Sequence, residues 1–111
     1  MILTTTESIK GYTIVENKGL VKGNSVRAKN VGRDIIAMFK NLFGGEIEEY
    51  TSLLTASREQ AIERMIKDAQ SKNANAIIGL RFMTSQVMQG AAEILAYGTA
   101  VVIKPDNEIE N

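Results

Sequence analysis

The first third of the chain alternates apolar and polar positions with the period of a β-strand. Residues 12–23 combine this alternation with β-branched side chains, and Gly19 and Gly23 stand where a strand can bend or bulge. The pattern predicts one long strand, which is interrupted if the glycines form bulges. A short apolar stretch at residues 2–5 is expected to pair at an edge of the same sheet.

The period then changes to that of an amphipathic helix. From Val31 onward, apolar residues recur three and four positions apart, and most charged residues fall between them. Gly44 and Gly45 predict the end of this first helix, because glycine enters the left-handed conformation of a helix C-terminus without a steric penalty.

A second helical pattern begins at once and extends from about Glu46 to about Lys72. Asn73 is placed to end it, since asparagine tolerates the left-handed conformation. Thr55 and Ser57 both have the chemistry of a helix N-cap within the pattern. The sequence therefore leaves two interpretations open: one long helix, or two shorter helices joined at a kink.

The last third returns to β-structure. Residues 76–85 and 92–103 are predicted as an antiparallel hairpin with a turn near residues 88–90. If the paired residue numbers sum to 178, Arg81 faces Tyr97 and Ser85 faces Glu93. Pro105 ends the second strand, and the polar tail from about residue 105 to residue 111 is expected to fray. If side chains alternate without interruption along residues 76–85, this strand has two largely apolar faces. One face carries Ala76, Ile78, Leu80 and Phe82, and the other carries Ile77, Gly79, Arg81 and Met83.

The predicted order of elements is one strand, two helices and two strands. This order defines an α+β fold with an antiparallel sheet and both helices on one face, so in a monomer the other face should be polar. Both faces of the last strand are apolar instead: Leu95, Tyr97, Val101 and Ile103 alternate with Ile94, Ala96, Ala100 and Val102. The simplest cover is another copy of the chain in a closed homo-oligomer. The alternative is a coiled sheet whose second face closes on the N-terminal strand within one subunit.

The composition is that of a single folded domain spanning residues 1–111, with 44% hydrophobic and 23% charged residues. Thirteen basic residues balance thirteen acidic ones, so neither nucleic acid nor a membrane surface is an expected partner. The N-terminal residues lack a leader pattern and no apolar run approaches the length of a membrane span. We therefore expect a cytoplasmic protein.

The chain contains no Cys and no His. Thiolate and imidazole ligands, cysteine nucleophiles and histidine bases are therefore excluded, and no catalytic constellation is visible without them. We expect no cofactor, and the pattern favours a protein that is not an enzyme.

Short motifs are spread over the chain from about residue 11 to residue 102. They include Gly23-Asn24-Ser25-Val26-Arg27, Gly44-Gly45-Glu46-Ile47-Glu48-Glu49-Tyr50, Ala74-Asn75-Ala76, Arg81-Phe82 and Tyr97-Gly98-Thr99-Ala100-Val101. Their order and spacing resemble the bacterial YbjQ-like family, which is functionally uncharacterised. The resemblance implies a dodecin-like β-α-β-β subunit assembled as a ring, a homopentamer. It also carries the label "putative heavy-metal-binding", which the ligand types of this chain do not support.

The candidate ligand-binding residues are Arg81, Glu93, Tyr97 and Glu46. A guanidinium at Arg81, within an apolar strand, can hold a carboxylate or phosphate in a groove between subunits. The favoured interpretation is a structural ion pair with Glu93 or with a carboxylate of the next subunit. Glu46 and other carboxylates would bind a hard cation if the fold gathered several of them, but their spacing assigns no metal site.

Three functional hypotheses follow. The first is a non-enzymatic homo-oligomeric module that binds a small ligand or ion at its subunit interfaces or in an axial channel. The second is a structural or partner-binding scaffold. The third is an enzyme whose site is assembled between subunits from Arg81, Glu93 and nearby carboxylates. The sequence does not identify the ligand.

Overall fold

The computed structural model describes residues 1–27, 47–88 and 91–109 of the chain. Within these ranges the chain forms an α+β fold with one α-helix and four strands: β1 (Ile2–Leu3), β2 (Tyr12–Arg27), α1 (Ile47–Ser71), β3 (Ala76–Met88) and β4 (Ala91–Pro105). The helix predicted from Val31, its stop at Gly44 and Gly45, and residues 89–90 of the predicted turn lie outside the described residues.

The four strands form one sheet in the order β1-β3-β4-β2. Both β2 and β3 pair antiparallel with β4, as predicted, but β1 runs parallel to β3. The prediction of a wholly antiparallel sheet was therefore wrong, and the sheet is mixed. The chain leaves β1 at one edge and enters β2 at the other, so residues 4–11 cross the sheet and both strands point the same way. The predicted pairing of the N-terminal stretch at a sheet edge is confirmed.

The hairpin has the predicted register, since Arg81 lies opposite Tyr97 and Ser85 opposite Glu93. The predicted faces of β3 were wrong, however, because a register shift separates Ile78 from Arg81. Gly79 adopts a φ of 61° within this bulge, a conformation that glycine reaches at little cost. The extra residue turns Leu80 to the same side as Ile77, and both join the core beneath the helix.

Helix α1 is continuous from Ile47 to Ser71, so the alternative of two helices joined at a kink was wrong. Asn73 follows it with a φ of 61°, which confirms the predicted left-handed stop. Ala61, Met65 and Ala69 are fully buried along one side of the helix. Their spacing of four residues places them in one stripe that packs on the sheet.

The helix and the sheet make their closest contact at Gly23 of β2. A Cβ atom at this position would collide with the carbonyl oxygen of Ala61 and the backbone nitrogen of Met65. The missing side chain therefore lets the backbone of α1 rest directly on β2. Val21 and Ser25, on the same side of the strand, are also fully buried.

The opposite side of the sheet is covered from within the chain at one end. Ala76, Val101 and Ile103 form a buried cluster there, with Ile9 and Ile78 packed against it. Part of the second apolar face is thus covered by the N-terminal segment. For this part of the face, the structure agrees with the alternative in which the face is buried within one copy of the chain.

Asn75, in the Ala-Asn-Ala motif, joins β3 to β4 at the same end of the sheet. Its Nδ2 donates to the carbonyl of Ile103 at 2.9 Å, and its Oδ1 accepts the Ile103 N–H at 2.7 Å. The side chain therefore makes the two hydrogen bonds that a strand residue would make with its backbone, and the asparagine of the motif serves to join the two strands.

The segment after β4 also has defined contacts. Asp106–Glu108 form a turn of 3-10 helix where the sequence predicts a frayed tail, and the hydroxyl of Thr13 donates to Asp106 Oδ1 at 2.7 Å. Within the described part of the chain, no helix has the combined length and apolar character that crossing a membrane requires.

Candidate functional site on the open face of the sheet

Three of the four candidate residues, Arg81, Glu93 and Tyr97, lie on the face of the sheet opposite α1, beyond the end that the N-terminal segment covers. We call this surface the open face. Its members are Leu20, Lys22 and Asn24 of β2, Arg81, Met83 and Ser85 of β3, and Glu93, Leu95 and Tyr97 of β4. Residues of the intervening positions, such as Val21, Ala96 and Ile94, point to the buried helix side.

Three residues form a row across the open face. Tyr97 of β4 lies opposite Arg81 of β3 on one side and opposite Lys22 of β2 on the other. Neighbouring strands are about 4.8 Å apart, so the backbone positions of the three residues lie side by side. Arg81 and Lys22 are exposed and Tyr97 is half-buried. The row therefore presents two positive charges and a hydroxyl on one surface.

Arg81 is fixed by backbone carbonyls. Its Nη1 donates to the carbonyl oxygens of Thr5 and Leu80, both at 2.8 Å. These contacts hold the guanidinium at the edge of the sheet where the N-terminal segment passes. Among the described residues Arg81 forms no ion pair, so the predicted pair with Glu93 is not present within one copy.

Glu93 lies apart from the row. It lies four positions before Tyr97 in β4 (97 − 93), which is roughly 13 Å along a strand. Its Oε2 accepts a hydrogen bond from Asn24 Nδ2 at 3.1 Å. The structure thus brings Arg81 and Tyr97 together, places Glu93 beside an amide on the same face, and leaves Glu46 outside the described residues.

The sequence prediction missed Lys22. Its place beside Tyr97 depends on how β2 aligns with β4, and register shifts between Ile14 and Glu16 and between Asn17 and Gly19 change that alignment. No alternation pattern specifies where such bulges fall. The structure shows that Gly23 faces the helix. Because side chains alternate along a strand, the neighbouring Lys22 lies on the opposite face.

The backbone of Lys22 also connects the site to the helix. Its N–H donates to Asp68 Oδ2 at 3.1 Å, and Lys72 Nζ lies 3.1 Å from Asp68 Oδ1. The hydrogen bond from the Lys22 backbone, together with the Lys72 ammonium, lowers the pKa of Asp68 below its ordinary value. This carboxylate therefore stays ionised beside β2 and helps to fix the strand that carries Lys22.

The donor atoms of the chain fit a soft heavy metal poorly. Such metals prefer thiolate, thioether or imidazole ligands, and because the chain has no Cys and no His, only its five Met residues could supply soft donors. The carboxylates in residues 1–27, 47–88 and 91–109 do not gather into a group of three that would hold a hard cation. An open depression lined by Val15, Lys104, Glu108 and Ile109 lies outside the row and contains one cationic and one anionic side chain.

Over the described residues, these features define a small α+β domain with a mixed four-stranded sheet, one packed helix and a partly apolar open face. The chain belongs to the YbjQ family, because the family model described as "Putative heavy-metal-binding" matches residues 1–104.

Relatives of similar length support this assignment. A UPF0145 protein of Thermosipho africanus is 57% identical over 108 residues, which cover 97% of this chain and 100% of the relative. A UPF0145 protein of the archaeon Methanoculleus marisnigri is 56% identical over 105 residues, covering 95% of this chain and 98% of the relative. The resemblance had implied a bacterial family, but this relative shows that the family is not confined to bacteria.

A solved structure shares the fold. The crystal structure of a protein of unknown function from Pediococcus pentosaceus, assigned to the DUF74 family, matches with a TM-score of 0.58 and 26% sequence identity. The match covers 94% of this chain and 98% of that one. The names UPF0145 and DUF74 define an uncharacterised family and specify neither a ligand nor an assembly.

Proposed function

We propose that this protein is the subunit of a closed, dodecin-like homo-oligomer, a pentamer by its family resemblance, that binds a small anion at its subunit interfaces. The observation that carries the proposal is the row of Lys22, Tyr97 and Arg81 on the open face. A neighbouring subunit placed against this face would cover the row and turn it into a groove.

The apolar side chains around the row support a subunit interface. Leu20 is 63% exposed and Met83 is 52% exposed, and both lie in rows next to Tyr97. Large exposed apolar side chains gathered on one surface are typical of a contact with another protein. The radius of gyration of 17.8 Å exceeds the roughly 13 Å of a compact domain of this length, so an isolated subunit is unusually extended.

The charges of the row favour an anion. Arg81 and Lys22 flank a phenol, and no carboxylate of the described residues forms an ion pair with either side chain. A guanidinium binds a carboxylate or a phosphate through two parallel hydrogen bonds, and a lysine adds a point charge. Covering by a second subunit lowers the local dielectric constant and strengthens both interactions.

The binding of inorganic phosphate and of a small dicarboxylate to the oligomer tests this proposal by isothermal titration calorimetry. We expect Arg81→Gln to weaken binding at least tenfold, about 1.4 kcal/mol, because it removes the planar charge from the row. The matched control is Arg58→Gln, which removes the same charge from the exposed side of α1, where Arg58 Nε donates to the carbonyl of Leu54 at 3.4 Å. Arg58→Gln should bind as the unmodified protein does.

Two results would contradict the proposal. Equal weakening by both substitutions would show that the anion responds to net charge and not to the row. An oligomer that binds neither probe would favour the scaffold hypothesis. The mass of each variant in native mass spectrometry separates a loss of binding from a loss of assembly.

A further inference from the structure

A second candidate site lies at the end of the sheet where β2 begins and β4 ends. An open depression with a volume of about 350 Å³ is lined there by Val15, Lys104, Glu108 and Ile109. This volume is at the lower end of the roughly 300–1,000 Å³ of small-molecule sites, so the depression suits a small metabolite and not a large cofactor. We call it the C-terminal depression. None of its lining residues belongs to the row on the open face.

The segment after β4 is fixed in place where it lines the depression. The Thr13 hydroxyl donates to Asp106 Oδ1 at 2.7 Å, and the Asp106 N–H donates to the carbonyl of Gly11 at 3.0 Å. The Ile109 N–H donates to the carbonyl of Asp106 at 3.3 Å at the end of the 3-10 turn. These bonds hold the turn against the start of β2, so this part of the lining belongs to the fold.

A bulge in β2 supplies another part of the lining. The register of β2 on β4 shifts between Ile14 and Glu16, so Val15 is the extra residue and has no partner in β4. A bulge changes the direction of its extra side chain, and bulges are frequent beside functional sites. Val15 is 47% exposed and lines the depression together with Lys104. The irregularity of the strand therefore adds an apolar side chain to the surface that carries the charges.

The two charged residues of the depression have opposite signs. Lys104 and Glu108 are exposed, and neither forms an ion pair in the part of the chain that the structure describes. A lysine ammonium can bind a ligand carboxylate, and a glutamate can bind a ligand ammonium group. Val15 and Ile109 offer apolar contact to a hydrocarbon group. A free α-amino acid carries a carboxylate, an ammonium group and a side chain on one carbon, so it matches all three features within a small volume.

We propose that the C-terminal depression binds a free aliphatic α-amino acid through both charges of its head group. Lys104 Nζ donates to the ligand carboxylate, Glu108 accepts from the ligand ammonium group, and Val15 and Ile109 contact the ligand side chain. Because both charged side chains are exposed to water, binding is weak and suits a metabolite that is present at high concentration. The site is separate from the row on the open face and does not rest on the proposed function.

Titration of the protein with L-leucine, followed by heteronuclear NMR spectroscopy, tests the proposal. The amide signals of Val15, Lys104 and Ile109 should shift, and those of Lys22 and Tyr97 should not. Two matched probes each lack one charge: isocaproate has no ammonium group, and isoamylamine has no carboxylate. L-Leucine should bind more tightly than either probe by roughly tenfold or more, because each probe loses one charge-assisted hydrogen bond.

Substitutions assign the two contacts. Lys104→Gln and Glu108→Gln should each weaken L-leucine binding by roughly tenfold or more. The matched controls are Lys67→Gln and Glu63→Gln, which remove the same charges from exposed positions of α1 and should bind as the unmodified protein does. The double variant of Lys104→Glu and Glu108→Lys should bind more tightly than either single reversal, because the head group can then bind in the opposite orientation.

Three results would overturn the proposal. An absence of shifts around the depression at high L-leucine concentration would show that no such site exists. Isocaproate that binds as tightly as L-leucine would reduce the site to a simple contact between an anion and Lys104. Equal weakening by the variants of α1 would show that the ligand responds to net charge. Because Arg81 takes no part in this site, none of these results bears on phosphate binding at the row.

Discussion

Gly23 is the residue on which the helix and the sheet most depend. The other buried positions of β2 accept a side chain, whereas any Cβ at Gly23 meets the backbone of Ala61 and Met65. Backbone atoms cannot swing aside as a flexible side chain does, so an added methyl group must displace the whole helix. The sequence suggested a bulge at this glycine, but the structure shows that glycine is required here because the helix backbone packs directly against it.

We predict that Gly23→Ala lowers the free energy of unfolding by about 3 kcal/mol, at the upper end of what overpacking costs. Urea unfolding followed by circular dichroism measures the change. The matched control is Gly19→Ala, where φ is 92° but no atom lies within 4 Å of the added Cβ. Its cost should be only the backbone strain, about 1 to 2 kcal/mol. A Gly23→Ala variant as stable as the control would contradict the direct contact.

Asp68 gives the stability a dependence on acid. Its pKa in the folded state is lowered by the Lys22 N–H and by Lys72, so folding favours the ionised carboxylate. This stabilisation is complete above the ordinary aspartate pKa and disappears as the pH falls through the lower folded value. The comparison with Asp68→Asn isolates the charge, since the amide oxygen still accepts the Lys22 N–H.

We therefore predict that the unmodified protein is more stable than Asp68→Asn by up to about 1 kcal/mol at neutral pH. The difference should be constant above about pH 5 and shrink below about pH 4. Urea unfolding of both proteins from neutral to acidic pH measures it. A difference that grows as the solution becomes more acidic would have the wrong sign for a lowered pKa.

At the scale of elements, α1 is joined to β2 by a regular series of polar contacts. Gln60, Arg64, Asp68 and Lys72 follow one another at intervals of four, so they lie on one line of the helix. Gln60 Oε1 accepts the Ser25 hydroxyl at 2.8 Å, and Lys72 Nζ lies 3.4 Å from the Leu20 carbonyl. The helix thus contributes an apolar stripe to the core and a polar line to the edge of the sheet.

The two partners of the Ser25 to Gln60 hydrogen bond should respond unequally to mutation. Ser25 is fully buried, so Gln60→Ala leaves a buried hydroxyl without this acceptor and should cost about 1 to 3 kcal/mol. Ser25→Ala leaves the partly exposed Gln60 to water and should cost less. In the double variant, the Ser25→Ala change should restore part of the loss. Chemical denaturation of the four proteins gives the coupling, and additive effects would contradict it.

Elements were more predictable than the faces they present. The helix from about Glu46 to Lys72, its stop at Asn73 and the register of Arg81 with Tyr97 all followed from local patterns. The assignment of Leu80 did not, because one bulged residue exchanges the two faces of a strand. The parallel pairing of β1 also escaped prediction, since two apolar residues carry no information about direction.

The candidate site was predictable only in part for the same reason. Arg81 and Tyr97 are partners within a hairpin, whose register follows from a short turn. Lys22 joins them from a strand that is distant in sequence, and the two bulges of β2 decide its position. Glu93 was considered as an ion-pair partner of Arg81, although the predicted register already placed it opposite Ser85, four positions from Tyr97 along β4.

At the scale of the whole molecule, the proposed assembly through the partly apolar open face would make stability depend on protein concentration. If neighbouring copies cover this face, the folded state gains stability as the protein concentration rises. We predict that the melting temperature increases by on the order of 5 °C over a roughly 100-fold rise in concentration. Differential scanning calorimetry at several concentrations measures this. A melting temperature independent of concentration would indicate a subunit that folds alone.

The polar line of α1 covers the outer edge of β2. β2 has 16 residues and borders the sheet, and the backbone groups at Leu20, Lys22 and Asn24 are occupied only while the helix lies against them. Detachment of α1 would uncover a long strand border able to recruit further chains into cross-β fibrils. The helix is therefore also a safeguard, and fibril growth should begin with its release.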